Sequence, residues 1–315
     1  MRAIPLFTLL LGGWCAIPAY ADEAQDWLNR LSQAEQQQSF QGTFVYERNG
    51  SFSTHNIWHR VQDGKVRERL LQLDGSAQEV LRIDGHTQCV SGSLIAGLGN
   101  TPDGSSRTLD PQKLKNWYDL AVIGKSRVAG RQAVIVALTP KDQHRYGFEL
   151  HLDKETGLPL KSLLLNDKGQ LLERFQFTRL SVGAPTDGDL QVSSECKAVA
   201  QDPGKAVAVK TAWHSDWLPP GFELTGSAAR KDPDTQVQVN SLMYDDGLAR
   251  FSVFLEPLNG ANATDTRTQL GPTAAVSRRL TTPQGEMMVT VVGEIPIGTA
   301  ERIALSMRSD VTTTQ

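Results

Sequence analysis

The stretch "RYGFELHLDKETGLPLKSLLLNDKGQLLERFQF" (residues 145–177) decides the fold, because it predicts three β-strands joined by two tight turns. Thr156-Gly157 and Lys168-Gly169 mark the turns, since glycine readily adopts the positive φ that a tight turn needs. Alternating apolar residues in each strand indicate that one face is buried. These residues are Phe148, Leu150 and Leu152 in the first strand, Leu163 and Leu165 in the second, and Phe175 and Phe177 in the third.

The same pattern extends along the chain in both directions from this stretch. Upstream, dipeptide turn signals at 49–50, 63–64, 74–75 and 84–85 predict a meander of antiparallel strands over residues 40–89. Strands resume over 121–128 and 132–139, after a loop rich in Gly and Ser. This region also carries two short helical patterns, one over 22–38 and one that starts at Pro111.

These elements predict a fold that is mainly β. An apolar sheet face has to be covered by helices, by a second sheet, or by curling of the sheet itself. Two short helices cannot cover about ten strands, so the pattern predicts an unclosed antiparallel β-barrel with helices partly covering its concave side. Such a barrel leaves an apolar cavity wherever the helices do not fill it, and that cavity could hold an acyl chain. The alternative is that these side chains pack only on each other and on the helices.

The candidate lipid-binding residues are the bulky apolar side chains of this sheet. Each buried methylene of a lipid contributes about 0.8 kcal/mol, so contact with part of one acyl chain is enough for binding. The predicted lining consists of Phe44, Tyr46, Leu71, Leu81, Ile83, Phe148, Leu150, Leu152, Leu163, Leu165, Phe175 and Phe177.

The C-terminal third of the sequence predicts a smaller second domain. Residues 184–210 are rich in Pro, Gly, Asp and small residues, which is typical of loop and linker. Four strand patterns (236–244, 249–256, 274–281 and 286–293) and a helical pattern over 299–307 predict an α+β domain with a four-stranded sheet. The predicted organisation is a leader over 1–21, a large half-barrel domain over 22–200, a linker over 201–212, and a small partner-binding domain over 213–315.

Aromatic residues are concentrated in this second domain, especially just past the linker. In that position they either seal the contact between the two domains or present a surface to a partner protein. The candidate partner-binding residues are Trp213, Trp217, Leu218, Phe222, Tyr244, Phe251 and Phe254.

The first 21 residues predict a secretory signal peptide. Arg2 supplies the positive start, an apolar run follows, and Ala19-Tyr20-Ala21 is an A-x-A cleavage site. Lipidation at Cys15 is the alternative, but the bulky Trp14 before it fits such a site poorly. We therefore expect an exported protein.

The cysteines left after cleavage are Cys89 and Cys196. An even number of cysteines in an oxidising compartment favours a disulfide between them. The alternative is two buried free thiols that act as small apolar side chains.

The sequence carries no recognisable catalytic, metal or cofactor motif, so neither an enzyme nor a cofactor is predicted. His55 and His59 have a spacing that binds zinc on a helix, but in a strand they lie about 13 Å apart, too far for one metal ion. Asp245 and Asp246 are explained by the turn that they open. A net charge of −3 gives no basic field to attract phosphates, so nucleic acid is not an expected partner.

Three segments resemble the MucB/RseB family of periplasmic regulators. They are "RYGFELHLDKETGLPLKSLLLNDKGQLLERFQFTRL" (145–180), "LPPGFELTG" (218–226) and "YDDGLARFSVFLEP" (244–257). The resemblance covers both predicted domains in the order that the family has them, and it defines no catalytic residues.

The resemblance implies a fold and a function. The large domain would be an unclosed barrel like that of the lipoprotein carriers LolA and LolB. The protein would bind the periplasmic domain of a transmembrane anti-sigma factor, MucA or RseA, and shield it from a site-1 protease. A lipid or a lipopolysaccharide fragment would release it, and the protein would form a homo-oligomer in the periplasm. A lipid or lipoprotein carrier without a regulatory partner is the alternative function.

Overall fold

The structure, a computed structural model, describes residues 18–76, 78–91, 109–199, 207–208, 212–231, 236–260, 262–283 and 285–310. These residues form two units, each built on its own large β-sheet. We refer to residues 18–199 as the N-terminal unit and to residues 207–310 as the C-terminal unit. Residues 1–17 of the predicted leader, and all of the predicted linker except 207–208 and 212, lie outside the described residues.

The N-terminal unit is an eleven-stranded antiparallel sheet. Its first five strands form one meander: β1 (Phe40–Arg48), β2 (Ser51–Gln62), β3 (Lys65–Gln72), β4 (Gln78–Ile83) and β5 (His86–Val90). The next five form a second meander: β6 (Tyr118–Val128), β7 (Arg131–Pro140), β8 (Gly147–Asp153), β9 (Pro159–Leu165) and β10 (Leu171–Val182). The short β11 (Lys197–Ala198) pairs with β5.

The two meanders become one sheet because β1 pairs with β10, strands that lie far apart in the sequence. The order across the sheet is β11-β5-β4-β3-β2-β1-β10-β9-β8-β7-β6. The sheet curls strongly enough to bring β6 near β10, yet β6 and β11 remain separate edges. The prediction of a mainly β, unclosed antiparallel barrel with a smaller α+β domain is confirmed.

One face of this sheet, the inner face, packs against the first helix. Helix α1 (Pro18–Gln37) begins inside the predicted leader and buries Ala24, Leu28, Leu31 and Ala34. Its C-terminal end is held by His59, whose Nε2 lies 3.1 Å from the Glu35 carbonyl oxygen. The second predicted helix is only one turn, α2 (Pro111–Leu114), with Asp110 as its N-cap. Helix therefore covers even less of the sheet than the sequence predicts.

The opposite, outer face is crossed by the segment that follows β10. Arginines on β2 and β3 hold this segment: Arg60 bonds to Asp187, Arg67 to the Leu190 carbonyl, and Arg69 to the Asp189 carbonyl. The predicted Cys89–Cys196 disulfide is confirmed and fixes the end of the segment to β5. Residues 184–199 therefore belong to the N-terminal unit, and only the rest of the predicted 184–210 loop can act as a linker.

The C-terminal unit contains more strands than the four that the sequence predicts. Its main sheet has seven strands in the order β12-β14-β15-β16-β19-β18-β17. They are β12 (Val207–Ala208), β14 (Glu223–Lys231), β15 (Gln238–Asp245), β16 (Arg250–Pro257), β17 (Thr266–Leu270), β18 (Thr273–Thr282) and β19 (Gly285–Gly293). A small sheet pairs β13 (Trp213–Ser215) with β20 (Met307–Ser309), and α3 (Ile297–Ser306) packs on the main sheet. The missed strands β14 and β17 are exposed or half-buried and lack an alternating apolar pattern.

Candidate functional site

Strand register determines which apolar side chains share the inner face. Directly paired residues on neighbouring strands point to the same side of a sheet. Phe44 pairs with Phe177 and Tyr46 with Phe175 across β1 and β10. The Phe44 ring contacts the rings of Phe175 and Phe177, with centroids 4.7 Å and 5.9 Å apart. Phe148, Leu150 and Leu152 lie on this same face, because β8 joins β10 through β9 in a register that pairs Leu150 with Ser162 and Ser162 with Phe175.

Five of the twelve predicted lining residues lie on the outer face, so they do not share a face with the other seven. Leu163 pairs with Glu149 and with Arg174, which places Leu163 and Leu165 opposite to Leu150. Leu71, Leu81 and Ile83 likewise alternate with residues that pair towards Phe44. The inner face instead carries their sequence neighbours Leu70, Val80 and Leu164, together with Ile57 and Leu160.

A row of half-buried apolar side chains crosses the inner face. Val122 on β6, Leu150 on β8, Phe175 on β10 and Tyr46 on β1 lie in one line of cross-strand pairs. All four are only partly buried, whereas Phe44, Phe177 and Leu152 on the same face are fully packed. Ser162 lies between Leu150 and Phe175, and its small side chain leaves a gap in the row. We call these five residues the apolar strip.

Two cavities of the N-terminal unit share Glu155 in their lining, and the smaller one lies at the C-terminal end of α1. Their volumes are about 170 Å³ and about 560 Å³. Both are lined by charged and polar side chains, among them Arg30, Arg131 and Glu155. Elsewhere on the inner face Phe44 and Phe177 are buried, whereas Ile57 and Phe148 are partly buried like the strip. The strip, which crosses the sheet from β6 to β1, is therefore the candidate surface for an acyl chain.

A cluster of charged groups borders the Tyr46 end of the strip. Burial, and then the neighbouring Glu173 carboxylate, raise the pKa of the Tyr46 phenol. Glu173 pairs across the strands with Arg48, whose Nε lies 4.0 Å from the carboxylate. Arg48 also donates a hydrogen bond to Thr273 and lies 3.8 Å from Glu294, and both of these residues belong to the C-terminal unit. Arg48 thus connects the Tyr46 end of the strip to the interface between the two units.

A buried ion pair also joins the two units at this interface. Arg145 Nη1 donates to Asp246 Oδ2 at 2.6 Å, and both side chains are fully buried. Arg145 also donates to the Pro220 carbonyl at 2.6 Å and to Asp142 at 2.9 Å, while the Tyr118 hydroxyl donates to Asp246 at 3.4 Å. Burial raises the pKa of Tyr118, and the charge of Asp246 raises it further.

Sequence reasoning missed this pair. Asp246 does cap its turn, by accepting the backbone N–H groups of Leu248 and Ala249. That role explains the residue locally, so no sequence signal pointed to a partner 101 positions away.

Close packing surrounds the ion pair. Gly221 has φ +88° and lies against the Trp117 ring, so that a Cβ atom at this position would be 2.1 Å from the ring. Only glycine fits, because both the backbone angle and the space exclude a side chain. A further contact at the interface joins His144 of the N-terminal unit to Thr299 of the C-terminal unit. His144 Nδ1 lies 3.1 Å from the Thr299 hydroxyl. Burial lowers the pKa of His144.

The predicted partner-binding residues are mostly core. Trp213, Phe222, Tyr244 and Phe251 are buried in the core cluster of the C-terminal unit, which also contains Ala300, Ile303 and Ala304 of α3. Trp217 and Leu218 are partly buried against the same core. The partner-binding role of these residues stays a prediction, and Phe254, at 38%, is the exposed member of the predicted set.

The site offers an apolar surface and a set of ion pairs. Within the described ranges there is no group of three or more metal-ligating side chains. No helix among the described residues is long and apolar enough to cross a membrane.

A two-domain protein with an open, curled β-sheet and a smaller α+β domain is the class that this fold defines. A family model described as the MucB/RseB N-terminal domain matches residues 23–200, and one described as the MucB/RseB C-terminal domain matches residues 207–308. The chain belongs to the MucB/RseB family.

Curated relatives match along the whole chain. The sigma factor AlgU regulatory protein MucB of Pseudomonas aeruginosa is 63% identical over 314 residues, which cover 98% of both chains. The sigma-E factor regulatory protein RseB of Haemophilus influenzae is 28% identical over 98% of this chain and 99% of its own.

Solved structures of MucB match as well. The crystal structure of MucB in complex with MucA(peri) has a TM-score of 0.80 and 62% identity, and it covers 92% of this chain and all of its own. The crystal structure of MucB has a TM-score of 0.68 and 60% identity, and it covers 91% of this chain and 98% of its own. The present structure is therefore more similar to MucB in that complex than to the other MucB structure.

Proposed function

We propose that this protein binds the periplasmic segment of a membrane-spanning anti-sigma factor and shields it from site-1 proteolysis. The observation that carries the proposal is the similarity to MucB in the complex with MucA(peri), with a TM-score of 0.80 and 62% identity over 92% of this chain. At that identity, the surface that MucB uses is expected to be largely retained. The Cys89–Cys196 disulfide supports a location in the periplasm, because disulfides persist in oxidising compartments.

We further propose that a lipid or a lipopolysaccharide fragment binds the apolar strip and releases the anti-sigma factor. The support for the strip is that Tyr46, Leu150 and Phe175 leave apolar surface partly exposed on the inner face. Apolar surface of this kind gains free energy when an acyl chain covers it. If the lipid and the anti-sigma segment prefer different arrangements of the two units, each lowers the affinity for the other by the same factor.

Protection from cleavage tests the binding part of the proposal. The periplasmic segment of P. aeruginosa MucA is incubated with a site-1 protease, with and without this protein. We expect slower cleavage in its presence, because a bound segment is inaccessible to the protease, and faster cleavage again when lipopolysaccharide is added. If the protein binds acyl chains but leaves the cleavage rate unchanged, the carrier function replaces the regulatory one.

Filling the gap in the strip tests the lipid part. Ser162→Phe places a ring between Leu150 and Phe175, where it would occupy the path of an acyl chain. Loss of contact with about two methylenes corresponds to about 1.6 kcal/mol, or roughly 15-fold weaker binding of myristic acid. Lys161→Phe is the matched control, since Lys161 pairs with His151 and Gln176 on the outer face of the same strand. Equal myristic acid affinities in the two variants would contradict binding at the strip.

A further inference from the structure

The charged cluster at the Tyr46 end of the strip has an arrangement that the proposed function does not explain. One guanidinium, Arg48, faces two carboxylates that belong to different units. Glu173 is on β10 of the N-terminal unit, and Glu294 follows β19 of the C-terminal unit. The distances are 4.0 Å and 3.8 Å, so neither carboxylate forms a close ion pair with Arg48. Small changes in the surroundings can therefore decide which carboxylate Arg48 approaches.

The contacts of Arg48 with the C-terminal unit are direct. Arg48 donates a hydrogen bond to the Thr273 hydroxyl on β18. Its side chain also lies against Gly271 in the turn between β17 and β18, where an added Cβ atom would be 3.2 Å from Arg48 Cγ. A movement of Arg48 towards Glu173 would loosen these contacts and the interaction with Glu294 together.

The strip lies next to this cluster. Tyr46 and Arg48 occupy consecutive inner-face positions on β1, and Phe175 and Glu173 do so on β10. Consecutive positions on one face of a strand are about 7 Å apart. An acyl chain that covers Tyr46 and Phe175 would therefore displace water from the neighbourhood of Glu173.

Dehydration favours one of the two carboxylates. The attraction between two charges strengthens roughly fourfold when the effective dielectric constant falls from about 80 to about 20. The side chain of Glu173 is 24% exposed and that of Glu294 is 52% exposed, so more of the Glu294 surface meets water, although burial of its carboxyl group still raises the pKa of Glu294. Glu173 also has one buried carboxylate oxygen without a hydrogen-bond partner, and a closer Arg48 would satisfy it.

We propose that Arg48 couples the strip to the C-terminal unit. When an acyl chain covers the strip, the Arg48 guanidinium moves from Glu294 towards Glu173, and the contact between the units loosens. This inference rests on the proposed function, since it needs a lipid at the strip and a partner that senses how the units are joined. Arg48 and Glu173 act here as positioning residues and do not hold the acyl chain.

The experiment measures coupling between two ligands. The affinity for the P. aeruginosa MucA periplasmic segment is measured with and without saturating myristic acid, in the wild type and in Glu173→Gln. In the wild type, myristic acid should weaken the affinity by a factor in the typical range of about 5 to 150. In Glu173→Gln the factor should fall below about 2, because the amide no longer attracts Arg48. Direct titration with myristic acid verifies that the variant still binds it.

Two further variants complete the test. Glu47→Gln is the matched control, because Glu47 pairs with Arg174 at 3.3 Å on the outer face of the same two strands. It should keep the wild-type factor. Glu294→Gln removes the half-exposed competitor for Arg48, so it should fold normally and also lower the factor below about 2.

Each result has a separate meaning. Loss of coupling in Glu173→Gln and Glu294→Gln, with coupling retained in Glu47→Gln, supports the role of Arg48. A wild-type factor in either of the first two variants, or a loss in all three, overturns it. A factor of 1 in the wild type overturns the lipid-release step of the proposed function, and the role of Arg48 falls with it.

Discussion

The buried ion pair between Arg145 and Asp246 makes a testable prediction about how the two units are held together. In Asp246→Asn, the side chain keeps its shape and an oxygen for the Leu248 and Ala249 N–H groups. The other position becomes an NH2 group that faces two donors, Arg145 Nη1 at 2.6 Å and the Tyr118 hydroxyl at 3.4 Å. The substitution therefore removes the charge and one acceptor and little else.

The expected loss follows from burial. Removing one partner of a buried ion pair destabilises a protein by about 3–5 kcal/mol, because the remaining charge is uncompensated. Asp142 still accepts from Arg145 at 2.9 Å, so we expect the lower end, about 3 kcal/mol. At roughly 2–4 °C per kcal/mol, this lowers Tm by roughly 6–12 °C. Because the pair joins the units, we also expect them to unfold in separate transitions.

The measurement is urea denaturation followed by circular dichroism, with calorimetry for Tm. Asp187→Asn is the control: the Arg60–Asp187 distance is also 2.6 Å, but the Asp187 side chain is 91% exposed. Its effect should be much smaller, since water screens an exposed pair. The double variant Arg145→Met, Asp246→Asn should recover part of the loss, because neither charge of the pair remains and asparagine keeps the oxygen that accepts the Leu248 and Ala249 N–H groups. Similar losses in Asp246→Asn and Asp187→Asn would refute the argument from burial.

Three further predictions concern the disulfide, the packing at the interface between the units, and the pH dependence of stability. Reduction of the Cys89–Cys196 disulfide, or Cys89→Ser, should lower the free energy of unfolding by up to about 4–5 kcal/mol, because the bridge closes a loop of 107 residues. Urea denaturation with and without reductant measures this loss. Gly221→Ala should destabilise the protein by more than about 1–3 kcal/mol, because the added Cβ atom clashes with the Trp117 ring. In thermal unfolding, the double variant Gly221→Ala, Trp117→Ala should recover part of the lost Tm. Burial lowers the pKa of His144 from 6.5, so the stability contributed by its neutral form is complete above pH 6.5 and is lost as the pH falls towards the lowered pKa. His144→Gln should flatten that part of the stability–pH curve, and an unchanged curve would contradict the assignment.

Local features of the fold could be predicted from the sequence, because neighbouring residues determine them. Alternation of apolar and polar residues located the strands from β1 to β10, since side chains in a strand point to opposite faces in turn. Asn49 and Gly50 adopt the positive φ angles, 54° and 71°, that their turn signal predicts. The disulfide followed from an even number of cysteines. By contrast, β14 and β17 were missed because half-exposed strands at or near a sheet edge need no apolar pattern.

The candidate site depended on information that is not local. Alternation shows which residues of one strand share a face, but it does not show which face of the next strand lies beside them, and a shift of one residue exchanges the faces. For this reason Leu163 was assigned to the lining although Leu164 occupies the inner face. The same limit applies to the aromatic residues of the C-terminal unit, since the sequence does not show that Phe251 packs on Phe222 and Tyr244 in the core.

The sequence by itself therefore predicted the strands from β1 to β10 and their turns, favoured the disulfide, and carried the resemblance to the MucB/RseB family. The tertiary structure alone decided which side chains form the apolar strip and that Arg145 meets Asp246. Both depend on contacts between distant parts of the chain, the pairing of β1 with β10 and an ion pair across 101 residues. Such contacts are set by the free energy of packing whole sheets together, and no short stretch of sequence contains that information.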